Sequence, residues 1–141
     1  ELKASADSLL RNGQASAAIE TYKKALSVDP SFEEIYFNLA VAHFTDKNLT
    51  GAMACLEKLL ILNPDDPEAA YNLACLYLYA RDIPNARLFL EKASSCCPDE
   101  ADYKPLIQNT LGLVDRLQTL DPQAQDIVLT RVTADALYPA W

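Results

Sequence analysis

Three prolines, Pro30, Pro64 and Pro98, recur at an interval of 34 residues, and columns of residue type travel with them. Ala6, Ala40 and Ala74 keep the interval, as do Ala18, Ala52 and Ala86 and the bulky Tyr22, Leu56 and Leu90. Self-similarity at a fixed period of this size is the mark of a solenoid. Each repeat is a supersecondary unit whose apolar face stays uncovered until the next repeat stacks on it. A chain built this way is expected to work through its surface rather than through a buried catalytic centre.

The spacing within each repeat predicts two helices. In the second repeat, Phe32 to Asp46 carries Ile35, Tyr36, Leu39, Ala40 and His43 at helical intervals, and Leu49 to Leu62 carries Ala52, Leu56, Leu59 and Leu60. Asn63-Pro64-Asp65-Asp66-Pro67 ends the second helix and starts the next. Proline cannot continue a helix, whereas Asp66 followed by Pro67 supplies an N-cap and a first turn. The third repeat follows with Glu68–Ala80 and Ile83–Cys96, and the first with Leu2–Asn12 and Gln14–Val28. The alanine pairs Ala6 and Ala18, Ala40 and Ala52, and Ala74 and Ala86 stand where the two backbones of a pair must approach to 8–10 Å.

After Pro98 the beat stops. Tyr103, Leu106, Ile107, Leu113, Val114, Leu117 and Leu120 form a stripe that predicts a closing helix, with Pro105 in or before its first turn. Asp121-Pro122 opens a last helix, roughly Gln123 to Leu137, before Tyr138-Pro139-Ala140-Trp141. Its Ile127, Val128, Leu129, Val132 and Leu137 are too apolar for a floating tail. Packing on the closing helix, occupying the repeat groove and belonging to a neighbouring region all remain open for it.

Composition supports this and narrows function. Half of the 141 residues are hydrophobic and only three are glycine, which favours helix over strand. A net charge of −8 argues against nucleic acid, because phosphate binding needs clustered Lys and Arg. No apolar run reaches the roughly 20 residues that span a bilayer, so no membrane insertion is expected. The chain opens on Glu1, inside a helical pattern, and reads as an excised fragment, so the lack of a leader carries no weight. Cys55, Cys75, Cys96 and Cys97 fit neither a disulfide framework nor a zinc site. They read as small packing residues in a reducing, cytoplasmic compartment.

These columns resemble the tetratricopeptide repeat. The resemblance rests on Leu2, Ala6, Leu9, Gly13, Ala18, Tyr22, Ala25 and Pro30 in the first repeat. Tyr36, Leu39, Ala40, Ala52, Leu56 and Pro64 carry it in the second, and Leu73, Ala74, Tyr77, Ala86, Leu90, Ala93 and Pro98 in the third. The family's turn glycine survives as Gly13 but is replaced by Lys47 and Arg81, substitutions expected to cost little, and His43 stands where Tyr or Leu is usual. The resemblance implies an all-α, right-handed superhelical α-α solenoid. Its tetratricopeptide domain would cover 1–120, with repeats about 1–31, 32–65 and 66–99 and a capping helix over 100–120, and a C-terminal helix and tail would follow over 121–141.

The resemblance also implies that the first helix of each repeat lines a concave groove. Projection by period then places Lys3, Asp7, Leu10 and Arg11 there from the first repeat. Glu34, Phe37, Asn38, Val41, Phe44 and Thr45 follow from the second, and Glu68, Tyr71, Asn72, Cys75, Leu78 and Tyr79 from the third. Phe37, Asn38, Val41, Phe44, Tyr71, Asn72, Cys75 and Tyr79 are the candidate peptide-groove residues. Aromatics would supply affinity, while Asn38 and Asn72, at equivalent places, would hold an extended backbone.

No nucleophile, base and orienting group converge in the sequence, and there is no phosphate-binding glycine loop. His43, the only histidine, reads as structural, and the chain is read as a non-enzyme with no catalytic residue, cofactor or metal. The expected function is a protein-interaction module, scaffold-like or co-chaperone-like, taking a peptide or helix of another protein in the groove. Self-association through the repeats or the last helix is the alternative. The clamp that holds chaperone-tail carboxylates is rejected, because Asp7 and Glu68 stand where that subclass has an asparagine and a lysine. A type III secretion chaperone is a minor alternative. Size and charge suit it, but that family's proline-phenylalanine segment is missing.

Overall fold

The computed structural model describes residues 2–135, with side chains as far as Thr130. Leu137, the Tyr138–Trp141 tail and the Val132 side chain, all named in the sequence reading, lie outside the described residues. Eight α-helices follow in order among the described residues: α1 (Leu2–Arg11), α2 (Ala15–Val28), α3 (Glu33–Thr45), α4 (Leu49–Leu62), α5 (Pro67–Tyr79), α6 (Ile83–Cys96), α7 (Lys104–Leu117) and α8 (Pro122–Asp135). There is no strand among the described residues. None of the described helices is long and apolar enough to cross a membrane. The helices group into two compact units, Glu1–Pro64 with α1 to α4 and Asp65–Trp141 with α5 to α8.

The 34-residue period organises the turns as closely as the core. At Gly13, Lys47 and Arg81 the backbone enters the left-handed region, at φ 79°, 62° and 65°. Each residue donates its N–H three residues back, and the next residue reaches five back: Gln14 to Leu9 at 2.9 Å, Asn48 to His43 at 2.8 Å and Asp82 to Tyr77 at 2.8 Å. These are three copies of the Schellman termination. Only glycine adopts this conformation without a steric penalty, so Lys47 and Arg81 each carry about 1–2 kcal/mol of strain. That corrects the expectation that their substitution for glycine costs little.

The residue after each turn begins the next helix, and two of the three cap it with a side chain. The Asn48 carboxamide oxygen accepts from Gly51 N–H at 2.9 Å, and the Asp82 carboxylate from Asn85 N–H at 3.3 Å. Gln14 makes no such bond. Asp66 caps α5 as the sequence predicts, accepting from Glu68 N–H at 3.0 Å and Ala69 N–H at 3.2 Å, with Pro67 in the first turn.

Inside each helix pair the small columns meet. Ala6, Ala18, Ala40, Ala52, Ala74 and Ala86 are fully buried, and Tyr22, Leu56 and Leu90 fill the space beside them. The periodic prolines lie in exposed loops. They terminate helices rather than fill the core, although the Pro30 carbonyl accepts a 2.8 Å bond from the Tyr36 hydroxyl.

In the second unit α7 packs on α6 through Ile107, Val114 and Leu117, all fully buried, whereas Leu120 at the end of the predicted stripe is exposed. Arg87 of α6 bridges to Asp115 on α7 and to Gln118 just past its end, which fixes the closing helix in register. The helix α8 belongs to this unit and lies against α5, with Leu129 completely buried.

Candidate peptide-binding faces

In the first unit the candidate residues Phe37, Asn38, Val41 and Phe44 lie on α3, and all four are partly exposed. Positions 37, 41 and 44 follow i, i+4 and i+7, so they share one helical face with Asn38 beside them. Below that face lies a polar network. The Asp7 carboxylate of α1 accepts from Asn38 Nδ2 at 3.0 Å, from Lys3 Nζ at 2.8 Å and from the Tyr22 hydroxyl. Lys3 also reaches Glu34 at 3.2 Å.

Desolvation works to raise the Asp7 pKa. The Lys3, Tyr22 and Asn38 donors outweigh it and hold the carboxyl below its ordinary value. Burial, and then the Asp7 carboxylate, push the Tyr22 phenol well above its usual range. Lys3 therefore stands between two acids, and its charge is already answered within the unit.

In the second unit α5 presents the equivalent residues quite differently. Tyr71, Asn72 and Cys75 are at most 2% exposed, and of the four candidates here only Tyr79, at 44%, is open to solvent. The expectation of an open surface at Tyr71, Asn72 and Cys75 is thus corrected. Every residue from Ala69 to Leu76 on this helix is buried, and within the unit α5 packs against α6 and α8. Asn72, one period after Asn38, donates instead to the Glu68 carbonyl of its own helix at 2.9 Å. The Tyr71 hydroxyl is buried with no partner in bonding geometry among the described residues, beside Thr110 of α7 and Cys75. Burial pushes the Cys75 thiol up to about 12.

The sequence reading missed what α8 brings to this face. Arg81, noted only as a missing glycine, donates from Nε to Asp126 at 2.8 Å and from Nη2 to the Thr130 hydroxyl at 3.0 Å. Asp126, Leu129 and Thr130 fall at i, i+3 and i+4, so the buried leucine and the two Arg81 partners share one side of α8. That spacing was visible in the sequence, but nothing local marked its counterpart.

Other residues are quieter. His43 is half-buried, with Nδ1 3.3 Å from Asn48 Nδ2, and burial followed by the Lys23 charge lowers its pKa. All four cysteines are free, and three are buried. No group of three or more His, Cys, Asp or Glu that could hold a metal ion occurs among the described residues.

Comparison with known proteins places this geometry. Two tetratricopeptide-repeat family descriptions match, over residues 3–67 and 43–109. No curated protein matches the chain in sequence. Among solved structures, the Yersinia enterocolitica type III secretion chaperone SycD in complex with a peptide of the translocator YopD superposes with a TM-score of 0.76 at 13% identity, covering 83% of this chain and 92% of that one. The first tetratricopeptide domain of Spaghetti (RPAP3) bound to the HSP90 peptide SRMEEVD gives 0.73 at 19% identity, covering 84% and 91%. The Sgt2 domain of Aspergillus fumigatus gives 0.70 at 21% identity, covering 82% and 75%. Identities this low speak for the fold alone. The repeated helix pairs, their alanine columns and the two family matches agree, and the chain belongs to the tetratricopeptide-repeat family.

Proposed function

We propose that this chain is a non-catalytic protein-interaction module that receives a peptide segment on the α3 face of its first unit. The observation that carries the reading is the row Phe37, Asn38, Val41 and Phe44, partly exposed on one side of one helix. Covering an aromatic there is worth about 1.5–3 kcal/mol, against about 0.5–1.5 kcal/mol for an amide hydrogen bond. Affinity therefore comes from Phe37 and Phe44. The Asn38 carboxamide oxygen sets register by accepting from a ligand N–H. Two relatives of the same fold, SycD and the first Spaghetti domain, are described with peptides bound, which supports a peptide ligand.

The ligand is apolar or aromatic and carries basic rather than acidic flanks. Glu34 is 64% exposed beside this face, and the chain's net charge is −8. A terminal carboxylate finds no uncommitted cation at Lys3. The test is a chemical-crosslinking capture with wild type and with a Phe37→Ala, Asn38→Ala, Phe44→Ala triple variant. Loss of the captured partners with helical circular dichroism intact supports the reading, and unchanged capture overturns it.

Self-association is the second reading. It is favoured by an open, largely apolar pocket of about 280 Å³ formed by Leu2, Ala25, Val28, Phe32 and Ile35, whose Val28 is 79% exposed. A rise in mass by light scattering across a concentration series, abolished by Val28→Glu, supports it. A constant monomer mass removes it.

A further inference from the structure

The α5 face of the second unit holds a helix that is part of the chain, and between Pro122 and Thr130 that helix buries little of its own side-chain surface. Of the α8 side chains from Pro122 to Thr130, only Leu129 is buried, and Ile127 is 60% exposed. The closing helix α7 buries Ile107, Thr110, Val114 and Leu117 by contrast. The polar fastening of α8 comes from Gln125, which donates from Nε2 to the Leu117 and Leu120 carbonyls at 2.8 and 3.1 Å, and from Arg81, a residue held in a left-handed turn where glycine would sit without strain. Its Nη1 bonds the Tyr79 carbonyl at 3.2 Å, at the C-terminal end of α5, which leaves Nε and Nη2 aimed at Asp126 and Thr130. A strained position thus carries a guanidinium that serves two helices, and its fork reads a carboxylate and a hydroxyl one helical turn apart.

We propose that α8 is an exchangeable occupant of a helix-docking site formed by α5 and Arg81. The competing occupant is an amphipathic helix of a partner protein presenting a carboxylate, a leucine and a hydroxyl at i, i+3 and i+4. This deepens the interaction-module reading and rests on it. The partner's leucine replaces Leu129, its acid and hydroxyl take over the two Arg81 bonds, and α8 is released. Because α8 and the partner compete, the site is closed to helices that lack the acidic residue. A leucine alone does not displace an occupant that has both.

The test uses a labelled synthetic peptide of residues 121–135, titrated against the full chain. It should bind the full-length Leu129→Asp variant, whose own α8 is dislodged, at least tenfold tighter than it binds wild type. Adding Arg81→Ala to that variant should weaken peptide binding about tenfold. Arg81→Glu should restore binding of a peptide carrying Asp126→Arg. Equal binding to wild type and variant, or insensitivity to Arg81, overturns the proposal. Hydrogen exchange on the wild type guards against a folding defect in the variant. Amides of α8 should exchange at least tenfold faster than those of α5 to α7, and uniform protection across the four helices also overturns it. The capture experiment on Phe37, Asn38 and Phe44 reads the α3 face separately. Failure there with peptide exchange intact removes only that reading, and the reverse removes only this one.

Discussion

The Asn38 amide of α3 donates to the Asp7 carboxylate of α1 at 3.0 Å, so a partly exposed side chain of one helix is held by a side chain of another. The same carboxylate accepts from Lys3 and from the fully buried Tyr22. A single acid therefore sets the orientation of the amide, the state of the cation and the satisfaction of a core hydroxyl.

Replacing that acid should be costly despite its partial exposure. Asp7→Ala leaves the Tyr22 hydroxyl buried without an acceptor, and about 1–3 kcal/mol of stability is lost. Urea titration measures it. Tyr22→Phe in the same background removes the orphaned hydroxyl and recovers part of the loss, and the double-mutant cycle gives the coupling.

The turn residues should respond in opposite directions. Lys47→Gly relieves a left-handed backbone at φ 62° and raises stability by about 1 kcal/mol, whereas Gly13→Ala, at φ 79°, lowers it by a similar amount. Arg81→Gly relieves the same strain but gives up the α8 bonds. Its thermal midpoint should rise less than that of Lys47→Gly.

The alanine columns should refuse larger residues. Ala40→Leu or Ala86→Leu forces apart backbones that meet at fully buried positions, at a cost of about 1–3 kcal/mol in chemical denaturation. Leu88→Ala on the exposed side of α6, where the residue is 58% open, should fall within about 0.5 kcal/mol of wild type.

Acid should destabilise the chain in two stages. His43 has a folded pKa below 6.5, so the unfolded chain binds its proton first. Its contribution is complete above about pH 6.5 and is lost as pH falls through the folded value. Asp7 has a folded pKa below 3.8. Its contribution is present above that value and fades as pH falls further. Thermal midpoints between pH 7 and 3 should show both declines, and His43→Gln should flatten the first.

Thiol labelling should distinguish the cysteines. Cys96 is partly exposed and should react in the native protein, while Cys55, Cys75 and Cys97 are buried and should wait for unfolding. Burial pushes the Cys55 thiol up to about 11 and the Cys75 thiol to about 12, which suppresses the reactive thiolate further. Counting labelled sites by mass before and after denaturation checks this.

The amino-acid sequence by itself determined the helix pairs, their limits to within a residue or two and the alanine columns between them. Those features follow from local periodicity, caps and prolines repeated every 34 residues. It also marked Asp66 as a cap and α7 as a helix with one buried side, because an apolar stripe opposite a polar one is the pattern of a helix packed on one face. Only the tertiary structure decided which side chains on the first helices remain open. Asn38 and Asn72 are identical residues at equivalent positions, yet one stays partly exposed while the other is completely buried. Burial of that kind depends on what a distant segment covers, and the reach from Arg81 to Asp126 spans 45 residues. The register of Lys47 and Arg81 with Gly13 pointed to a glycine turn, but that both residues keep the left-handed backbone instead of relaxing out of it is a property of the closed turn.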